Sequence, residues 1–288
     1  MTGLLVIDKP AGMTSRDALN RVQRWFPRGT KLGHTGTLDP LATGVLVACV
    51  GAATKLAEYI QAMGKGYATR IRLGARSDTE DADGTVTPTD NAVPPTEEAV
   101  RAALLPFRGT IQQLPPAYSA LKVGGVRAHE LARAGREVTL AARPVRIDDV
   151  RFIRYEWPHL DLEIDCGKGT YVRGIARDIG EALGVGGLVQ DLRRTRVGEF
   201  RAEAGVTLDA TPEEAKAKLL PLALAVTGLP KVALSAEDIR RLLFGQRVLA
   251  ERGFPAEVPG AVLDAGGNLK AVVTRDGPAW RVLVGLPG

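Results

Sequence analysis

Residues 33–50 read GHTGTLDPLATGVLVACV and hold the densest concentration of unusual residues in the chain. Three glycines permit positive φ angles and close backbone approach, and Pro40 after Asp39 favours a fixed turn. The continuous apolar run at 44–50 predicts a buried strand. We therefore predict a rigid loop that presents Asp39 beside a core strand. There the Asp39 carboxylate either takes part in catalysis or only accepts hydrogen bonds from backbone amides of its own turn.

Strands and helices follow one another irregularly on both sides of this loop. One helix is predicted after its N-cap Thr14 or Ser15, and a second after Thr96. The acidic stretch after residue 74 predicts an exposed loop. The mixed order indicates an α+β fold rather than a doubly wound parallel sheet. Strands are predicted at 3–7, 44–50, 67–73, 145–155 and 160–166, and further helices at 54–63 and 171–183.

The segment TGLP at 227–230 is the best candidate for a linker between two domains. Beyond it, a helix capped by Ser235 precedes short strands separated by glycine-rich turns, the pattern of a small β-barrel. We therefore predict one domain at 1–229 and a second at 230–288. Pro115 and Pro116 open a region that contains a basic helix around 128–134.

The composition is that of an ordinary globular protein. Of 288 residues, 45% are hydrophobic and 25% charged, which excludes a largely disordered or fibrous chain. The longest uncharged apolar stretch, 44–53, is about half the length that a membrane-spanning helix needs, and MTGLLVIDKP at the N-terminus lacks the shape of a secretion signal. Cys49 and Cys166 lie in apolar runs, which predicts buried free thiols in a reducing compartment. A cytoplasmic protein with no membrane partner is therefore expected.

Basic and acidic residues occupy separate blocks. The net charge is +5 and the pI is near 9.3. Residues 18–38 carry four basic residues and no acidic one, whereas 77–98 carry seven acidic residues and no basic one. This segregation favours a basic groove that binds the phosphates of a nucleic acid, although a solvated surface would give the same pattern. No Walker phosphate loop is matched, and the three histidines are too scattered for a metal site: His34, His129 and His159.

Five segments in order carry a family resemblance. They read DKPAGMTS (8–15), GHTGTLDPLATGVL (33–46), RLGARSDTEDADG (72–84), PPAYSALKVGG (115–125) and GTYVRGIARDIGEALG (169–184). Together they resemble the TruB family of tRNA pseudouridine synthases over nearly all of the first 230 residues. The segment LLFGQRV (242–248) is similar to the start of the PUA domain that closes many bacterial members. One departure is His129, which stands where the family usually has an aromatic residue.

The resemblance implies a fold and a reaction. The fold would have a mixed, largely antiparallel central sheet followed by a small PUA-like β-barrel. The reaction would isomerise uridine 55 in the T-loop of tRNA to pseudouridine, which breaks a carbon–nitrogen bond and forms a carbon–carbon bond without a redox change. No cofactor and no metal would be required. The protein would act as a monomer on the T-arm of tRNA, with no obligate protein partner.

The resemblance also assigns catalytic roles. Asp39 would be the nucleophile, attacking either the ribose or the base, and Arg173 would be the cation beside it. The Tyr67 ring would stack on the target base, and its hydroxyl would take the proton from carbon 5. From the residues alone, Arg173 is also consistent with a helix-surface arginine and Tyr67 with a core aromatic residue.

Further residues would bind the substrate. His34 would fill the space left by the flipped base, Tyr171 and Leu192 would line the uracil pocket, and Lys9 would support that pocket. Without the resemblance, His34 would be interpreted as a satisfied loop histidine, and Tyr171 and Leu192 as core residues, a role that pocket lining does not exclude. The resemblance also implies an RNA-binding insertion at about 113–146. Four of its basic residues would bind phosphates: Lys122, Arg127, Arg133 and Arg136.

Two alternative functions remain open. A tRNA-binding folding chaperone would keep the same scaffold without turnover, although Asp39, Tyr67 and Arg173 are all present. A metal-dependent nuclease would need an acidic cluster, which family position assigns to a loop instead: Asp78, Glu80, Asp81 and Asp83.

Overall fold

The computed structural model describes residues 1–119, 121–136 and 138–286, and for His129 only the backbone. The strands of this described part are β1 Gly3–Lys9, β2 Leu32–His34, β3 Thr43–Val50, β4 Lys65–Leu73, β5 Ala75–Ser77, β6 Val86–Pro88, β7 Gly109–Gln113, β8 Lys122–Val123, β9 Val126–Arg127, β10 Arg143–Glu156, β11 His159–Cys166, β12 Gly187–Val197, β13 Phe200–Arg201, β14 Lys231–Val232, β15 Gly260–Leu263, β16 Leu269–Asp276 and β17 Ala279–Gly285. Its α-helices are α1 Ser15–Val22, α2 Ala57–Ala62, α3 Glu97–Leu104, α4 Ala128–Arg133, α5 Val172–Ala182, α6 Pro212–Ala217 and α7 Ala236–Leu243.

The main sheet is mixed. Its strands lie in the order β1-β3-β12-β4-β11-β10-β7, with β2 added on β3 and β13 on β12. Within the described residues, β3 and β12 form its one parallel pair, and the other neighbours are antiparallel. The predicted α+β class with a mixed, largely antiparallel central sheet is therefore confirmed.

The central strand β12 is not predicted by the sequence patterns. It reads GLVQDLRRTRV, whereas a strand buried in the middle of a sheet usually reads as an apolar run. The structure buries Leu192 and Arg194, while the alternate residues Asp191 and Arg193 are more exposed. A strand rich in charged residues therefore lies between β3 and β4 in the sheet.

The two faces of the sheet pack into different hydrophobic clusters. On β1, Leu5 and Ile7 point into the cluster that contains α1, α3 and α5, while Leu4 and Val6 point into the opposite cluster. Helix α1 begins at the predicted N-cap Thr14 with a capping box, an arrangement that stabilises a helix by about 1 kcal/mol. Both cysteines are buried and unbridged, as predicted.

The acidic stretch after residue 74 is only partly an exposed loop. The Ala82 amide donates to the Val189 carbonyl at 2.9 Å, and the Val189 amide donates to the Glu80 carbonyl at 3.0 Å. Because this pairing draws residues 80–82 against β12, Asp81 is buried and 4% exposed. The prediction of a wholly exposed loop is wrong at this point, since local composition carries no signal of pairing with a distant strand.

The C-terminal residues form a second, four-stranded sheet. Its order is β14-β15-β16-β17, and α7 begins at the predicted cap Ser235, whose hydroxyl accepts from the Asp238 amide at 3.0 Å. In the described residues the edge strands β14 and β17 do not pair, so the predicted closed barrel is not confirmed. Ala261 and Val272 of this sheet share a hydrophobic cluster with Leu4 and Val47 of the main sheet.

Helix lengths bear on membrane insertion. In the described part of the chain, no helix is both long enough and apolar enough to cross a membrane.

Candidate active site

A cavity of about 560 Å³ opens where β4, β12, the loop before β3 and the start of α5 meet. This volume is within the usual range for small-ligand sites. Five residues predicted for the site line it: Asp39, Tyr67, Tyr171, Arg173 and Leu192. The structure thus brings together side chains from four separate parts of the sequence.

The loop that carries Asp39 is held by hydrogen bonds to residues of the N-terminal segment. The Ser15 hydroxyl accepts from the Leu38 amide at 2.7 Å and lies 3.1 Å from the Leu38 carbonyl. The Gly12 amide donates to the Pro40 carbonyl at 2.9 Å. These bonds flank Asp39 on both sides, so its backbone is fixed independently of any ligand.

Gly44 allows the loop to enter the sheet. Its φ is +96°, and a β-carbon at this position would lie 2.2 Å from the Arg194 carbonyl oxygen. Because β3 and β12 pair in parallel at this point, no larger residue fits without moving the strands. The last glycine of the loop is therefore needed for the close approach of two strands.

Lys9 lies behind the cavity and is not among the residues that line it. Its ammonium group donates to the carbonyls of Pro10 and Met13 at 2.8 Å and of Pro40 at 3.3 Å. Burial lowers its pKa to about 8, and nearby Asp39 opposes this effect. Lys9 thus supports the loop around Asp39 rather than the walls of the cavity.

Arg173 and Asp39 form an ion pair inside the cavity. The Arg173 Nε atom lies 3.0 Å from Asp39 Oδ2, without the alignment of a hydrogen bond. The guanidinium is 4% exposed and also donates to the carbonyls of Thr79 at 2.7 Å and Tyr118 at 2.9 Å. Arg173 is therefore a buried, fixed cation beside a carboxylate that remains one-third exposed.

Asp81 is a member of this network that sequence reasoning missed. Its Oδ2 atom lies 3.5 Å from Arg173 Nη1, and the Thr79 hydroxyl donates to its Oδ1 atom at 2.5 Å. Burial raises its pKa, whereas Thr79 and Arg173 oppose that rise. Arg173 thus pairs with two carboxylates, the buried one of Asp81 and the accessible one of Asp39. No local sequence signal marks Asp81 for this contact, because its placement depends on the pairing of residues 80–82 with β12.

Three of the four acids considered for a nuclease have different partners, Asp81 being the one beside Arg173. Glu80 pairs with Arg177 at 2.6 Å, and Asp78 accepts from the Thr85 amide at 2.7 Å. In residues 1–119, 121–136 and 138–286, no group of three His, Cys, Asp or Glu side chains could hold a metal ion. The acidic stretch therefore does not supply the cluster that the nuclease alternative needs.

Tyr67 projects from β4 into the cavity and is 9% exposed. Burial raises the pKa of its hydroxyl, and the nearby charge of Arg194 opposes the rise. The ring also belongs to the hydrophobic cluster beneath the cavity. Tyr67 therefore combines a packed ring with a hydroxyl beside a buried cation.

Tyr171 forms the other aromatic wall, and Gln113 fixes its backbone. The fully buried Gln113 side chain accepts from the Tyr171 amide and donates to the Tyr171 carbonyl, both at 2.9 Å. The Arg143 guanidinium lies 5.2 Å from the centre of the Tyr171 ring. Leu192 contributes an apolar side chain from β12. The cavity thus offers apolar and aromatic surfaces of a kind suited to a planar base.

His34 is not among the residues that line the cavity. It ends β2, opposite Ala48 of β3, and its Nδ1 atom is buried without a partner in the described residues. Burial lowers its pKa, as do Arg16 and Arg194. Nothing in this placement tests the predicted role of His34 during base flipping.

Cations dominate the cavity wall. Lys65 is nearly buried, and burial, Arg194 and Lys168 lower its pKa to about 8, while Cys166 opposes this effect. Asp39 is the one acidic residue among the described lining residues. The lining cations are Lys65, Arg143, Lys168, Arg173 and Arg194. The site therefore favours an anionic ligand, such as a nucleotide with its phosphates.

The four predicted phosphate-binding residues lie outside the cavity and are exposed. Lys122 and Arg127 oppose each other across β8 and β9. Like charges in this position destabilise a hairpin unless an anion neutralises them. Arg133 ends α4 and Arg136 follows it. The side chain of His129 lies outside the described residues.

The family model for the N-terminal domain of TruB family pseudouridylate synthases matches residues 24–172. The chain belongs to the TruB family of pseudouridylate synthases. A second model, for the C-terminal domain of tRNA pseudouridylate synthase B, matches residues 173–218. Both the predicted resemblance to the TruB family and the predicted enzyme class, a pseudouridine synthase, are thereby confirmed.

Curated relatives extend this membership over most of the chain. The chain is 48% identical over 251 residues to tRNA pseudouridine synthase B of Cereibacter sphaeroides, and the match covers 85% of this chain and 83% of that protein. It is 45% identical over 269 residues to tRNA pseudouridine synthase B of Mycobacterium bovis, covering 92% and 85%.

Solved structures show the same fold at lower identity. A chain of a Cbf5-Nop10-Gar1 complex matches with a TM-score of 0.75 and 24% identity, covering 97% of this TruB family chain and 83% of that one. A chain of an archaeal box H/ACA sRNP Nop10-Cbf5 complex matches with a TM-score of 0.74 and 23% identity, covering 99% and 86%. Together with the family membership, these likenesses confirm the predicted pseudouridine synthase fold.

Proposed function

We propose that the protein isomerises uridine 55 in the T-loop of tRNA to pseudouridine, with Asp39 as the nucleophile. The observation that carries this proposal is the pairing of Asp39 with the buried Arg173, in a cavity that Tyr67 also lines. Asp39 is accessible on its cavity side, and the remaining lining charges are positive. The names of the curated relatives support tRNA as the substrate.

The proposed reaction begins with a uridine rotated out of its stack into the cavity. Asp39 attacks the ribose or the base, the bond between N1 and C1′ breaks, and the uracil reattaches to C1′ through carbon 5. The bond to Asp39 then breaks, which restores the free carboxylate. The hydrogen on carbon 5 leaves as a proton to the Tyr67 oxygen while that hydroxyl gives up its own proton, and N1 gains a proton, so no electrons are exchanged with a cofactor. Tyr171 and Leu192 hold the base during its rotation, and His34 fills the space that it leaves.

The rest of the chain would bind the body of the tRNA. We propose a catalytic domain at 1–229 and a PUA-like RNA-binding domain at 230–288, with an RNA-binding insertion at about 113–146. Pairing of Gln113 with Arg143 between β7 and β10 closes the base of that insertion and supports its limits. We further propose a cytoplasmic enzyme that acts as a monomer, without an obligate protein partner.

The test is direct mapping of pseudouridine. Purified protein is incubated with an unmodified tRNA transcript in buffer containing EDTA, and a transcript with cytidine at position 55 is the matched control. We expect pseudouridine at position 55 of the first transcript and none in the second. Pseudouridine at another position would contradict the proposed site. Refolding of misfolded tRNA without any pseudouridine would favour the chaperone alternative.

Affinity for tRNA should fall steeply with salt. If Lys122, Arg127, Arg133 and Arg136 meet phosphates, the slope of log affinity against log salt should have a magnitude of about 3 or more. The Arg127→Gln variant should lower that magnitude by about 0.7 to 0.9, the contribution of one phosphate contact. Lys218→Gln, which replaces an exposed lysine after α6, is the control and should leave the slope unchanged. A flat response in the unmodified protein would favour a small-molecule substrate.

A further inference from the structure

Arg194 is a buried cation to which the proposed reaction gives no role. Its side chain is 2% exposed, and among the described residues no carboxylate lies within ion-pair distance of it. Its neighbours on the same strand differ, since Arg193 pairs with Asp8 and Arg196 with Asp165. A guanidinium in such a place is costly unless fixed acceptors bind its N–H groups, so those acceptors indicate what it does.

Three acceptors of Arg194 are backbone carbonyls of the segment around Asp39. Nε donates to Val45 at 2.7 Å, Nη2 to Gly36 at 3.1 Å and, more weakly, Nη1 to Thr37 at 3.4 Å. Gly36 and Thr37 lie just before Asp39, and Val45 lies in β3 just after the loop. One planar side chain thus ties both ends of the loop to β12.

The same side chain faces Tyr67. Arg194 of β12 is the register partner of Tyr67 in the antiparallel β4 and of Gly44 in the parallel β3. Directly opposed residues of antiparallel strands project from the same face, and both side chains line the cavity. Burial raises the pKa of the Tyr67 hydroxyl, and the nearby charge of Arg194 opposes that rise.

We propose that Arg194 is a positioning residue that orients the Tyr67 hydroxyl toward the bound base while holding the backbone of the Asp39 loop. The central place of β12 between β3 and β4 makes this double contact possible. Lysine would keep the charge but not the planar set of N–H groups that reaches both partners. The proposal rests on the proposed function, because it assigns Tyr67 a part in the isomerisation.

A double-mutant cycle on single-turnover rates tests the proposal. Arg194→Lys should lower the rate by about 10-fold or more with affinity for tRNA within about threefold, since the change acts on positioned groups. In the Tyr67→Phe background, the factor by which Arg194→Lys lowers the rate should be at least about fivefold smaller, because the hydroxyl is already absent. Arg196→Lys, on the same strand and outside the cavity, is the matched control. Equal losses in both backgrounds, or an Arg194→Lys variant as fast as the unmodified protein, would overturn the proposal.

A second measurement uses only a substitution that removes one hydroxyl. In ¹⁵N NMR spectra of the full chain, Tyr67→Phe should shift the guanidinium signals of Arg194 and leave those of Arg196 in place. Unchanged Arg194 signals would overturn the proposal even if Arg194→Lys fails to fold. Because this readout does not depend on turnover, failure of the proposed function would be seen separately, as absence of pseudouridine with the unmodified protein.

Discussion

The Asp39→Asn variant should lose turnover by about 10⁴-fold or more, the scale of removing a catalytic nucleophile. Asparagine has nearly the shape of aspartate, and Ser15 and Gly12 still hold the loop on both sides. Arg173 keeps its second carboxylate, Asp81, and its two carbonyl acceptors. The loss should therefore reflect chemistry rather than unfolding. Pseudouridine formation in a single turnover, compared with tRNA affinity, is the measurement.

Affinity for tRNA separates this result from a binding defect. The affinity of Asp39→Asn should stay within a few fold of the unmodified protein, because phosphate contacts supply most of the binding free energy. Asp149→Asn, which replaces a half-buried aspartate of β10 that pairs with Arg108 and Arg151, serves as a control for the substitution itself. Turnover by Asp39→Asn above about a hundredth of the unmodified rate would refute the assignment of the nucleophile.

The Tyr67→Phe variant should retain tRNA binding yet lose net isomerisation by roughly 10² or more, the usual scale for a positioned general base. Phenylalanine keeps the ring and its packing in the cluster beneath the cavity but lacks the hydroxyl beside Arg194. An adduct with Asp39 would still form, because the step that needs Tyr67 is removal of the proton from carbon 5. Single-turnover release of tritium from carbon-5-labelled uridine measures that step.

Tyr67→Leu distinguishes the ring from the hydroxyl. Leucine also lacks the stacking surface, which is worth about 1 to 3 kcal/mol per base, so binding should weaken as well. If Tyr67→Phe turns over nearly as fast as the unmodified protein, Tyr67 is only a platform for the base. The proton would then go to another acceptor, while the assignment of Asp39 would stand.

The local features of the site were accessible from the sequence. The glycines and Pro40 around Asp39 predict a constrained turn, and the apolar run after it predicts β3, because both depend on residues next to one another in the chain. Helix caps at Thr14, Thr96 and Ser235 were predictable for the same reason. Each cap side chain accepts a hydrogen bond from the backbone amide three residues later.

Which charged residues are buried was decided by the tertiary structure alone. The pattern of β12 gave no sign of a central strand, because Arg194 is buried only where carbonyls from β3 and its loop satisfy its N–H groups. Asp81 reads as part of a solvated acidic run, yet pairing with Val189 draws it beneath Arg173. Burial of a charge depends on partners distant in sequence, whereas turns and caps depend on neighbours. The sequence by itself therefore determined the loop that presents Asp39, and long-range strand pairing determined the buried charges that surround it.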